Sequence, residues 1–172
     1  MTKILASLLP LAIAFLSVAS AKISKRGTSG QVASVQSQSD FCFFLPPMFG
    51  GGISQNEDRA VAFCTTPLAK APGARIFPSG FIQSAHFATG NGYVQVTGRI
   101  QGSAYGLSAS DGGGQYDRRA PVGASCAGYN YFVNLIEPNN NIYCMRCCNE
   151  KKDCNTGKSE YGCEAVISGN YS

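Results

Sequence analysis

The chain has 172 residues, is 44% hydrophobic and 14% charged, and carries eight cysteines and no tryptophan. Its formal charge of +4 comes from 14 Lys and Arg against 10 Asp and Glu; Lys3, Lys22, Lys25 and Arg26 all precede Gly27 with no acidic residue among them, so the remainder balances at 10 against 10. A neutral remainder of this size reads as one small domain and has no electrostatic footprint for nucleic acid or an anionic membrane.

At the N-terminus, Lys3 precedes an apolar run from Ile4 to Val18, which ends in Ala19-Ser20-Ala21. The run is shorter than the roughly 20 residues that span a bilayer. The small-x-small ending is what a signal peptidase needs, so residues 1–21 read as a secretory signal peptide. After its removal no long apolar run remains, and the polar ending Ser168–Ser172 is not a lipid-anchor tail. Residues 22–39, rich in Ser, Gly and Gln and without aromatics, read as a disordered leader. Lys25-Arg26 within it resembles a kexin-type cleavage site; the alternative is an ordinary exposed charge pair.

The folded domain is expected over residues 40–170. Phe41–Leu45 is an apolar strand stopped by Pro46-Pro47. Ser54 with Glu57 three residues on has capping-box form, and Ala60, Val61 and Cys64 give a compact apolar face, predicting one short helix; a strand ending at Cys64 is the alternative. Phe81–Phe87 reads as a strand. In Tyr93–Ile100, Val94, Val96 and Ile100 face one way while Tyr93, Gln95, Thr97 and Arg99 face the other. Tyr129–Ile136 and Ile142–Cys147 flank Asn139-Asn140-Asn141 as a hairpin. Gly162–Ile167 reads as the last strand, and Thr66–Gly73 and Gly102–Pro121 as loops. The fold class is therefore mainly β, a disulfide-stapled sandwich or compact barrel with one short helix.

The cysteines are Cys42, Cys64, Cys126, Cys144, Cys147, Cys148, Cys154 and Cys163. An even count in an exported chain implies disulfides. Zinc is the rival for Cys144-x-x-Cys147, but there is no second such pair and one histidine in all, so no metal or other cofactor is expected. The side chains of Cys147 and Cys148 diverge and need different partners. The sequence leaves the connectivity open.

The segment RIFPSGFIQSAHFATGNGYVQVTGRI (75–100), with DFCFFLPP, AVAFCTTP, DGGGQYD, YCMRCC and YGCEAV, is similar to the fungal secreted proteins known as macrophage-activating glycoproteins. The resemblance runs over nearly the whole domain, from Asp40 to Val166. It lacks the Ser/Thr-rich tail of longer members, which takes any wall-anchoring role of that tail out of the expectation. The resemblance implies export from a fungus and no established molecular activity. It places six cysteines in the family pattern and makes Cys126 and Cys147 a subgroup addition, which implies that these two bond to each other.

For chemistry, His86 is the only histidine, no G-x-S-x-G occurs and an even cysteine count leaves no free thiol, so no catalytic residue is assigned. Glycoside hydrolysis needs two carboxylates, drawn here from Asp111, Asp117, Glu57, Asp58 and Glu137. The Asp111–Asp117 loop, with three glycines between carboxylates, is the most suggestive stretch; the competing reading is a connecting loop whose aspartates bind nearby amides. It lacks the spacing of a calcium loop. Tyr93, Tyr105, Tyr116 and Tyr129 are candidates for a sugar-stacking platform or for the core. Gly157-Lys158-Ser159 lacks the first glycine of a phosphate loop. Arg118-Arg119 is a second dibasic pair that folding is expected to protect. Asn170-Tyr171-Ser172 is a glycosylation sequon. The expected partner is an extracellular protein or a cell-wall glycan, with no nucleic acid and no membrane. A secreted interaction factor stands first among the readings, a carbohydrate-binding module second, and a hydrolase using Asp111 or Asp117 third.

Overall fold

The computed structural model describes residues 31–172. The signal segment and Lys25-Arg26 lie outside the described residues. Ten strands and one helix follow in order: β1 Val32–Ala33, β2 Cys42–Leu45, β3 Val61–Cys64, β4 Arg75–Ile76, β5 His86–Gly90, β6 Tyr93–Arg99, β7 Gly114–Asp117, β8 Ser125–Cys126, β9 Tyr131–Glu137, β10 Ile142–Cys148 and α1 Gly162–Val166.

The main sheet is antiparallel with order β5-β6-β10-β9-β7. A second sheet, β2-β3-β4, lies over one of its faces, and β1 pairs with β8 in a short ribbon. The sheets do not close on themselves, so of the two expected arrangements the barrel is excluded. Between the sheets Phe41 and Phe43 stack on Tyr143, and Phe44 meets Phe132. Phe77 and Phe81 extend the same aromatic cluster. Aromatic rings bring the largest apolar area per residue, which suits a chain that is rich in loops.

Alternation decides which side chains enter this layer. Along β10, Tyr143, Met145 and Cys147 join the inter-sheet core, while Cys144 and Cys148 join a second core on the opposite face. That second face is covered by the C-terminal segment, with Cys154, Cys163, Val166 and Ile167. In β6, Val94 and Val96 meet the main core as the alternation predicts. On its other face Gln95 Nε2 donates to the Ser168 carbonyl and the Thr97 hydroxyl to that of Asn170. The central strands are therefore buried on both sides.

Four bridges staple these layers: Cys42–Cys64, Cys126–Cys147, Cys144–Cys163 and Cys148–Cys154, with no cysteine free. Cys42–Cys64 joins directly opposed residues of β2 and β3. Three of the four start on β10, and adjacent Cys147 and Cys148 leave on opposite faces because side chains alternate along a strand.

Several expectations need correction. The leader does not extend to Ser39: Val32 and Ala33 pair with β8, and Ala33, Ser34 and Val35 are buried. Ala33 and Val35 join the main core, and the Ser34 carbonyl accepts from the Cys42 amide, which ties the segment to β2. The helix expected from Ser54 is a 3-10 turn over Ser54–Asn56, after which Val61–Cys64 is a strand. Pairing of Val61–Cys64 with β2, with Val61 and Phe63 as strand formers, outweighs the cap signal, and the alternative reading of that segment applies. The strand expected at Gly162–Ile167 is α1 instead. Cys163 and Val166 are its buried residues and Ile167 caps its end, at the i, i+3, i+4 spacing of a helix. The Phe81–Phe87 strand starts late: Ile82 bridges Ile100, Gln83 and Ser84 both donate to the Arg99 carbonyl, and regular pairing runs from His86 to Gly90. Two residues against one is a bulge. Gly98 permits it, since a Cβ there would lie 2.2 Å from the Ser84 carbonyl oxygen.

Asn134 ties the sheets together. It is fully buried on β9, accepts from the Phe44 amide at 2.9 Å and donates to the Cys144 carbonyl at 3.0 Å. The Phe44 amide lies on the outer edge of β2, which has no neighbouring strand there. Asn134→Ala leaves that amide buried and unpaired and is expected to lower stability by about 3 kcal/mol in urea unfolding. A loss under 1 kcal/mol would show that the inter-sheet contact does not rest on this side chain.

Burial holds the Tyr116 phenol well above its ordinary pKa of 10.0 and raises that of Tyr143 as well. Above pH 10 the unfolded chain releases these protons while the folded one keeps them, so stability present at neutral pH is lost as pH rises. Each phenol is expected to contribute about 1.4 kcal/mol per pH unit beyond that point. Tyr143→Phe should reduce the slope of unfolding free energy against pH by one proton; an unchanged slope contradicts the assignment.

Candidate functional site

A groove of about 410 Å³ opens where the Gly-rich loop, the β9–β10 hairpin and the C-terminal segment meet. Its floor is Gly112, Gly113, Gly114 and Gln115; Ser54 and Glu57 stand on one side and Glu160, Tyr161 and Gly162 on the other. Leu135 and Glu137 of β9 close its base.

Backbone geometry explains the glycines. Gly113 has φ +94°, and a Cβ there would lie 2.0 Å from the Ile136 carbonyl oxygen. The loop therefore lies flat against the end of β9, which a larger residue would forbid. Asp111 fastens it: one carboxylate oxygen accepts from the Ile53 amide and the other from the Gly113 amide, each at 2.8 Å. Its carbonyl also accepts from Asn139. Asp117, at the far end of β7, is buried and accepts from the Arg119 amide at 2.7 Å and from Gln115 Nε2 at 3.1 Å. Both carboxylates hold backbone in place.

The other acidic candidates separate. Glu57 and Glu137 line the groove, whereas Asp58 is exposed and pairs with Arg59. Glu137 accepts from the Cys163 amide at the start of α1 and from Asn140 Nδ2. It anchors the C-terminal segment to the hairpin.

The tyrosine platform needs correction. Tyr116 is fully buried and donates to the Ile53 carbonyl at 3.0 Å; Tyr105 is buried and donates to that of Pro46. Tyr93 is half-buried, with the Arg146 guanidinium 4.3 Å from its ring centre, and Tyr129 packs on the main core. None of these four offers a free ring. The exposed ring at the groove is Tyr161, at 72% exposure, which the sequence reading did not select. It lies in a Lys-Ser-Glu-Tyr stretch with no apolar pattern, and only the return of the C-terminal segment brings it beside the glycine loop.

The remaining candidates lie apart. His86 is half-buried on β5, its Nε2 3.2 Å from the Ser172 carbonyl oxygen, with Ser84 Oγ donating to the same atom. Asn170 is exposed, and its side-chain oxygen accepts from the Ser172 amide. Among the described residues no group of three or more His, Cys, Asp or Glu is placed to hold a metal, and no helix is long and apolar enough to cross a membrane.

In chemical terms the groove is rich in acceptors. Gln115 is buried with Nε2 donating to Asp117 and to the Thr156 carbonyl, while its Oε1 finds no partner within the protein. Exposed Glu57 and Glu160 suit a ligand that brings hydroxyl or amino donors and can lie along Tyr161.

Gly113→Ala is expected to cost about 3 kcal/mol, because the added methyl meets a backbone carbonyl at a positive φ. Asp111→Ala should cost about 2 kcal/mol by unpairing two amides. Thermal unfolding of both variants checks the pair; wild-type stability in either would show that the loop is not held as described.

The chain is similar to two proteins of Mycosarcoma maydis. It is 38% identical to appressorium protein ROW1 over 98 residues, 57% of this chain and 22% of that protein. It is 32% identical to appressorium protein ROW2 over 92 residues, 52% of this chain and 31% of that protein. The chain thus spans between a fifth and a third of the length of these relatives. No family model and no solved structure matches it. The two relatives it matches are thus fungal appressorium proteins.

Proposed function

We propose that this chain is a secreted fungal interaction factor that works by recognition, with an extracellular protein as partner. The observation that carries it is the use of Asp111 and Asp117 in fastening backbone amides. The stretch best suited by sequence to acid–base chemistry is built as a support for a groove. Four disulfides fit an oxidising, extracellular setting, as does the signal-like N-terminus. Similarity to appressorium proteins supports a fungal surface role, and the sequence resemblance to the macrophage-activating glycoproteins belongs to the same reading.

A second reading, binding of a cell-wall glycan, is favoured by exposed Tyr161 and by Glu57 and Glu160 lining the same groove. A hydrolase using Asp111 or Asp117 has least support, since both carboxylates already accept hydrogen bonds.

Expressed with its N-terminus in a fungal host, the chain is expected in the culture medium; retention inside the cell would sink the secreted reading. Purified from the medium, it should pass through chitin, β-glucan and mannan columns unretained. Retention on one of them that Tyr161→Ala weakens by about tenfold or more would replace the first reading by the second. Release of reducing sugar by the wild type, abolished by Asp111→Asn or Asp117→Asn, would establish the third.

A further inference from the structure

Balanced composition conceals a segregated surface. On the face beyond β7, two adjoining hollows share Arg119, Lys151 and Thr156. Arg118 completes the basic lining of one and Lys152 that of the other. All four cationic side chains are exposed. Asp117 is the only carboxylate lining either hollow, and its oxygens are taken by the Arg119 amide and Gln115. The one ion pair among the described residues, Arg59–Asp58, involves none of them.

Both basic pairs sit on rigid supports. Asp117 and Ala120 exchange backbone hydrogen bonds of 2.8 and 3.2 Å, so Arg118 and Arg119 occupy the two tip positions of a tight turn. The Asp117 carboxylate on the Arg119 amide locks that turn, and the Arg118 guanidinium rests 5.4 Å from the centre of the Tyr131 ring. Lys151 and Lys152 begin a 3-10 turn inside the short loop closed by Cys148–Cys154. Cations held in advance on ordered backbone lose little freedom when an anion binds, which favours a specific site over a diffuse positive field.

From this we infer that the Arg118–Arg119 and Lys151–Lys152 turns form a binding site for an acidic polysaccharide, a sugar chain bearing carboxylate or sulfate groups. Two pairs of cations fit a ligand with repeated anionic groups, and Asn155 and Thr156 in the same lining offer partners for hydroxyls. Nucleic acid is disfavoured because neither hollow offers a free exposed aromatic for base stacking: Phe132 is buried and Tyr131 is covered by Arg118. A membrane surface is disfavoured because no exposed large apolar side chain lines either hollow. This site is separate from the Gly112–Gly114 groove and shares with the proposed function only its extracellular setting.

The test uses the disulfide-intact protein on polygalacturonate, dextran sulfate and neutral dextran at about 0.05 M and 0.3 M salt, a range over which ionic contacts are progressively screened. Salt-sensitive binding to polygalacturonate or dextran sulfate and none to neutral dextran is expected; the tighter of the two identifies the acidic group. R118Q/R119Q and K151Q/K152Q should each weaken binding about tenfold, while R59Q leaves it unchanged. On the wild type, amide NMR shifts on titration should concentrate at 117–120 and 151–157. Undiminished binding in the combined R118Q/R119Q/K151Q/K152Q variant, an equal loss in R59Q, or shifts centred elsewhere would overturn the site. Equal or tighter binding to duplex DNA or phosphatidylserine vesicles would overturn the polysaccharide assignment.

Discussion

Strand β10 is the constraint on which the rest of the molecule depends. It lies in the middle of the main sheet, between β6 and β9, and places side chains in both cores. Tyr143 receives the aromatic cluster of the second sheet, while Cys144 and Cys148 hold the C-terminal segment on the opposite side. Cys147 reaches β8, and through its pairing with β1 it secures the N-terminal residues of the described chain. Covalent bonds on both faces of one strand convert a small, loop-rich chain into three layers. Each closure removes freedom from the unfolded state, so the staple offsets a modest core.

Polar side chains complete what the strand starts. Asn134 answers the unpaired edge of β2, which would otherwise end in buried, unsatisfied donors. Asp111, Asp117 and Glu137 do the same for loops and for the start of α1. Each fixes a backbone segment against a sheet end, and together they shape the groove and present the Arg118–Arg119 turn. Carboxylates committed in this way have their oxygens occupied by backbone amides, and movement would release the backbone that they hold.

The surface that results has two chemically different regions. One is the acceptor-lined groove with Tyr161 at its lip; the other is the basic face around Arg119 and Lys151. Total charge, balanced at 10 against 10 after Arg26, leaves the domain electrostatically featureless. Net charge averages over the surface, whereas a ligand experiences only the local arrangement.

Much of the fold was legible because periodicity is local. The alternation in Tyr93–Ile100 placed Val94 and Val96 in the core, and the asparagine run placed the β9–β10 hairpin. Cysteine count and context together indicated cross-linking. Where two local signals competed, the sequence could not rank them. A capping pattern met the apolar stretch Val61–Cys64, and helical spacing met β-branched Val166 and Ile167 at Cys163–Ile167; tertiary partners chose the outcome each time. The candidate site was legible only in its glycine loop. Its Tyr161 wall, the burial of Tyr116, the duties of Asp111 and Asp117, and the meeting of two basic pairs 33 residues apart, from Arg118 to Lys151, required segments distant in the chain to be brought together. Sequence by itself determined a stapled, mainly β chain, because residue pattern and cysteine chemistry act over short range. Tertiary structure decided which polar groups support backbone and which face solvent, because that depends on neighbours the chain supplies only once folded.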